Sequence, residues 1–116
     1  MEYMSLLGFV FFSVLLMSNT ATAQSSQNDV RCFLVSNIFA KAAKDPKARK
    51  LAEAGVYFYL GRIDGRVSGT QLKRTVREQS KALSAANASA VMAGCARFMQ
   101  ASAKSVRSLG GQLPQK

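Results

Sequence analysis

Apolar residues recur at intervals of three and four along most of this chain. Val30, Phe33, Leu34, Ile38 and Ala42 fall on one side of a 3.6-residue helix, and Cys32, Val35 and Phe39 widen that side. The preceding Asn28-Asp29 pair offers an N-cap, so the pattern predicts a first, mostly buried helix from Val30, with residues 24–29 as a flexible leader. Asp45-Pro46 ends that helix and opens a second, because Asp caps free N–H groups while Pro suits a first helical position. Leu51, Ala52, Gly55, Val56, Phe58 and Tyr59 are its inward residues, and Gly65, just past Asp64, is its left-handed stop.

Ser68-Gly69-Thr70-Gln71 has the spacing of a capping box and predicts a third helix. One side of it carries Leu72, Val76, Ser80 and Leu83; the other carries Lys73, Arg74, Arg77 and Lys81. After a break over Ser84 to Asn87, the stripe Val91, Met92, Cys95, Phe98, Met99, Val106 and Leu109 predicts the longest helix, interrupted only by Ser102 and closed by Gly110-Gly111. Residues 112–116 read as a loose tail. No stretch alternates β-branched residues between turn signals, so the expected fold is all-α, a compact bundle of about four helices in one domain over residues 30–111.

The first 23 residues follow a different pattern. Leu6 to Met17 is a continuous apolar run broken only by Gly8 and Ser13, followed by polar residues and then Ala21-Thr22-Ala23. That order is the order of a signal peptide with small residues before its cleavage site, and the run is much shorter than the ~20 residues a membrane span needs. Cleavage before Gln24 is therefore expected, although Met1 to Ser5 lacks the usual Lys or Arg. The destination is an oxidising compartment, most simply the periplasm. Cys32 and Cys95 are the only cysteines, and in an exported chain they read as one intramolecular disulfide. The mature form has no apolar run long enough to span a bilayer.

Charge narrows the function. All sixteen Lys and Arg follow residue 23, together with five of the six carboxylates, giving the mature chain a formal charge of +11. Histidine is absent, which removes the commonest general base and metal ligand. Asp29, Asp45, Glu53, Asp64 and Glu78 are the only mature carboxylates, and two of them are assigned to helix caps. With both cysteines paired there is no thiolate nucleophile, and no spacing resembles a zinc site. The expectation is a protein that is not an enzyme and takes neither metal nor cofactor.

Two features suggest binding. In Val56 to Arg66, successive helix positions turn by about 100°, so Tyr57 and Tyr59 point to nearly opposite sides and one should be accessible. An exposed Tyr flanked by Arg62 and Arg66 would form a recognition patch; the plainer reading is a packed helix end with Asp64 held between the two arginines. The second feature is charge. Lys41, Lys44, Lys47, Arg49 and Lys50 crowd the first corner, and Lys73, Arg74, Arg77 and Lys81 line the third helix. Such groups either are merely solvated or attract an acidic protein, anionic lipid or lipopolysaccharide. Nucleic acid is not expected, since Trp is absent, no basic-aromatic module is present, and export separates the chain from chromosomes.

An early Cys32, an aromatic-Leu-Gly-x-x-Asp-Gly segment, a basic helix and a late Cys95 follow one another in an order that resembles small helical proteins exported by alphaproteobacteria. More distantly it is similar to periplasmic helical proteins with one disulfide, including HdeA-type acid-stress chaperones and immunity proteins against type VI secretion effectors. The similarity spans about Val30 to Met99. It implies a bundle of four or five helices and a binding role without chemistry, a stress chaperone being one form of it. The departure is in charge: protonating all five carboxylates only takes +11 to +16, and nothing else titrates between neutrality and strong acid. The expected function is a periplasmic interaction protein that binds an acidic partner through its basic faces and the Tyr57 to Arg66 region, with an anionic envelope surface as the competing target.

Overall fold

A computed structural model describes residues 24–112; the expected signal segment and the last four residues lie outside that range. Four helices follow in order, α1 (Ser26–Ala42), α2 (Pro46–Ile63), α3 (Gly69–Ala82) and α4 (Ala88–Gly110), and the described residues contain no strand. This is the all-α bundle the periodicity predicts, with one correction at its start. α1 begins at Ser26, because the Ser25 hydroxyl accepts from the Asn28 N–H at 3.2 Å and takes the capping role assigned to Asn28-Asp29. Most of the expected leader is thus the first turn of α1, and Asp29 lies inside the helix.

Asp45 caps α2 as its sequence demands, accepting from the Ala48 N–H at 3.2 Å, with Pro46 in the first turn. Gly65 has a φ of +84°, the left-handed stop that a side chain would oppose. Ser68 does precede α3, but the capping box is not made, since its side chain forms no capping hydrogen bond. α4 ends where the glycines predict.

α1 is the centre of the bundle. It packs closely against each of the other three helices, α2 also packs against α4, and α3 makes its close backbone approach to α1 while Leu72 and Val76 also pack on the cluster that includes Ile63 of α2. α1 and α2 come close enough that a Cβ on Gly55 would lie 2.6 Å from the Ser36 hydroxyl. Around this contact sits the main core of Cys32, Val35, Ala52, Tyr59, Met92 and Cys95, flanked by Phe33, Phe39, Phe58 and Phe98. A second cluster, Val30, Ile63 and Val67 with Leu34, Leu72 and Val76, seats α3 on α1.

The disulfide forms between Cys32 and Cys95, with a Cα–Cα separation of 5.5 Å, and it ties α1 to α4 across the core. Beside it the buried Tyr59 hydroxyl donates to the Cys95 carbonyl at 2.5 Å, fastening α2 to the same point. Burial pushes the Tyr59 phenol up to about 12.

Two stripe assignments are corrected. Val106 and Leu109 are 67% and 63% exposed, not core. α4 passes Ser36 at Met92 and α1 at the Cys32 bridge, so its chain direction opposes that of α1, and beyond Met99 it outruns Ser26 and Ile63, where α1 starts and α2 ends. Residues 100–110 form an overhang of roughly 16 Å at the helical rise. On α3, Ser80 is exposed, whereas Thr75 and Gln79 are buried. The Thr75 hydroxyl is satisfied by the Gln71 carbonyl at 2.9 Å, and Gln79 accepts from Arg31 Nε at 2.7 Å.

Candidate functional site

The arginines expected to flank an exposed tyrosine are committed elsewhere. Asp29 is fully buried, and its carboxylate accepts from Arg62 Nε at 2.8 Å, from Arg66 Nη1, and from Gln24 Nε2 at 2.6 Å. Arg66 also reaches the Gln24 carbonyl at 3.3 Å. Arg62 and Arg66 stand one turn apart on adjoining parts of α2 and its exit turn, so both guanidiniums close over one point. The Arg62 guanidinium carbon lies 4.9 Å from the Phe98 ring centre and 6.0 Å from that of Phe58, which adds a cation–π contact with α4. This node is structural: no buried side-chain polar atom in it lacks a partner, and it locks the leading turn of α1 to the end of α2. The ion pairs among the described residues are those of Asp29. Asp64 is exposed and ends α2, so the expectation that it sits between the two arginines is corrected.

Asp29 was legible in principle. It precedes Cys32 by three residues and Ser36 by seven, which puts it on the buried stripe rather than ahead of it. The pair Arg62 and Arg66, four apart, is what a buried carboxylate on that stripe would call for.

Tyr57 and Tyr59 divide as the helical turn predicts. Tyr57 is 75% exposed, and Tyr59 is sealed in the core, where it is unavailable to a partner. Tyr57 stands at a cleft with Leu60, Gly61, Asp64, Val67 and Leu72, between the end of α2 and the start of α3, with a volume of about 480 Å³. The charge within this cleft is negative, from Asp64, and Glu53 lies one turn back from Tyr57 on the same exposed face. The structure therefore separates Tyr57 from the arginines with which the sequence grouped it.

Lys73, Arg74, Arg77 and Lys81 are all exposed on the outer face of α3, and none forms an ion pair with a described carboxylate. Their face continues to a second cleft, about 450 Å³, between α1, the end of α3 and the start of α4. Leu34, Ile38, Leu83, Ala85 and Ala88 give it an apolar lining, with Asn37, Ser80 and Ser84 between them. The cleft exists because α3 runs alongside α1 in the same direction, so no local sequence pattern marks it, and Ile38, assigned to the buried stripe of α1, remains 48% exposed at its edge.

Among the described residues no three His, Cys, Asp or Glu side chains come together to hold a metal ion, and no helix is long and apolar enough to cross a membrane. Searches of protein-family models, curated proteins and solved structures find no match to this chain.

Proposed function

We propose that this protein is an exported, non-catalytic binding protein that holds an acidic protein partner on the outer face of α3. One observation carries the reading: Lys73, Arg74, Arg77 and Lys81 are exposed together and unpaired, and the only carboxylate α3 sets among these four cations is Glu78, one turn from Arg74 and from Lys81. Of the other described carboxylates, Asp29 is buried under two arginines, Asp45 caps α2, Asp64 lines the Tyr57 cleft and Glu53 lies one turn back from Tyr57 on α2. Four cations on one rigid helix raise the local potential and steer an anionic partner into encounter. The Cys32–Cys95 bond is compatible with the exported location this reading supposes.

The overhang of α4 favours a second reading, contact with anionic lipid. It exposes Val106 and Leu109 beside Lys104 and Arg107, and no carboxylate side chain follows Glu78 in the chain.

A photo-crosslinking residue placed at Arg77 and, separately, at Leu109, in protein carried to its native compartment, separates the two. The first reading expects Arg77 to capture a protein of low isoelectric point, and reversal of Lys73, Arg74 and Lys81 to Glu to abolish that capture. Capture from Leu109 alone, together with sedimentation on vesicles that requires anionic lipid, would replace the first reading with the second.

A further inference from the structure

The outer face of α3 supplies charge, but charge alone gives weak and unselective binding. The neighbouring cleft supplies an apolar anchor point. Its rim is positive on both sides. On α1, Lys41 lies one turn beyond Ile38 on the same face and is exposed. On α3, Lys73 and Arg77 lie two turns and one turn before Ser80 on its side of the helix, and Lys81 follows it. Glu78 points about 160° away from Ser80 around α3, on the side of Arg74 and one turn before Lys81, so it lies outside the cleft. No carboxylate lines the cleft. The first turn of α4, which opens here, has no acidic residue and no side-chain cap, so its positive end adds to the field.

The cleft is also set before a ligand arrives. Its lip, the Ser84–Asn87 turn, is pinned from both ends: Asn87 Oδ1 accepts from the Ser84 N–H at 2.9 Å, Asn87 Nδ2 donates to the Ala82 carbonyl at 2.8 Å, and the Ser84 hydroxyl accepts from the Asn87 N–H at 3.3 Å. A fixed lip lowers the ordering entropy of docking.

Resting on the proposed acidic-partner reading, we infer that this cleft docks an amphipathic acidic segment of that partner, one or two Leu- or Phe-sized side chains entering between Ile38 and Leu83 while flanking carboxylates meet Lys41, Arg77 and Lys81. An apolar helix face seated in an apolar groove is an established mode of peptide recognition. Here the complementary charge of the rim selects an acidic peptide over a basic one.

The probe is a synthetic helical peptide of roughly four turns, with Leu and Phe on one face and Glu on the others. Two control peptides carry Lys in place of Glu, or Ser in place of Leu and Phe. Fluorescence anisotropy with the folded, oxidised protein should show binding of the first peptide at least about tenfold tighter than of either control. Ile38→Glu and Ala85→Glu, both at exposed positions, should each weaken it by about tenfold or more, with circular dichroism and thermal midpoint unchanged. Equal binding of the Leu/Phe and Ser peptides, insensitive to Ile38→Glu yet lost on reversing Lys73, Arg74, Arg77 and Lys81, would overturn the inference and leave the broader reading standing. Failure of every Glu-bearing peptide to bind would overturn both. Displacement of the bound peptide by anionic vesicles, with tighter binding to the vesicles than to the peptide, would assign the cleft to lipid and overturn the inference as well.

Discussion

Replacing Asp29 by Asn tests the node that joins α1 to α2. The carboxylate accepts three hydrogen bonds, two of them from guanidiniums, at a side chain with 1% exposure. Asn keeps the shape but offers one acceptor oxygen, and its NH₂ must face a donor. Hydrogen bonds to charged groups contribute about 1.5–3 kcal/mol each, and leaving a charge unpaired in the interior costs about 3–5 kcal/mol. The Arg62 and Arg66 side chains are 29% and 43% exposed, so both rehydrate in part and the lower end applies. The net loss is then about 2–3 kcal/mol, which for a domain of this size lowers Tm by roughly 10–20 °C. Asp64→Asn is the control, because Asp64 is exposed and outside the node; its effect should stay within about 0.5 kcal/mol. Thermal unfolding followed by circular dichroism measures both, and the gap should persist in about 0.5 M salt because the carboxylate is buried. Equal Tm values for the two variants would refute the reasoning.

Other perturbations address the remaining ties. The folded state keeps a Tyr59 proton up to about pH 12, while the unfolded chain releases it near pH ~10; stability is therefore whole below about 10 and falls as pH rises through 12, by about 2–3 kcal/mol. Tyr59→Phe gives up the Cys95 bond, about 1 kcal/mol at neutral pH, and urea curves at pH 9 and 11.5 should show a smaller alkaline loss in it than in the parent. Gly55→Ala drives a methyl group into Ser36 and should cost about 1–3 kcal/mol, with Ser36→Gly recovering part of it in a double-mutant cycle. The double substitution Cys32→Ser with Cys95→Ser opens a 63-residue separation and should lower stability by about 4 kcal/mol in denaturant titration.

The elements were legible where a boundary has a local chemical marker: Asp45-Pro46, Gly65 and the glycines at 110 and 111 act on their own neighbours. The disulfide was legible because two cysteines allow one intramolecular pair. What failed depended on which element lies beside which. Asp29 looks like a cap until Ser25 is known to serve, and Asp64 looks like the partner of Arg62 and Arg66 because it is near them in sequence. Val106 and Leu109 continue the α4 stripe, but a periodic face is buried only where another helix runs alongside, and none of the described chain extends that far. The α3 cations were recognised as one face, whereas the Ile38–Leu83 cleft beside them arises from the docking of α3 on α1, which no local pattern encodes.

Amide chemical-shift mapping of the labelled, oxidised protein with the Leu/Phe/Glu peptide tests most directly whether the Ile38–Leu83 cleft and its basic rim are the recognition surface. The account predicts saturable shifts centred on Ile38, Lys41, Arg77 and Ala85, with Tyr57, Leu60 and Asp64 unmoved. Shifts spread evenly over all lysines and arginines, or gathered around Tyr57, would contradict it.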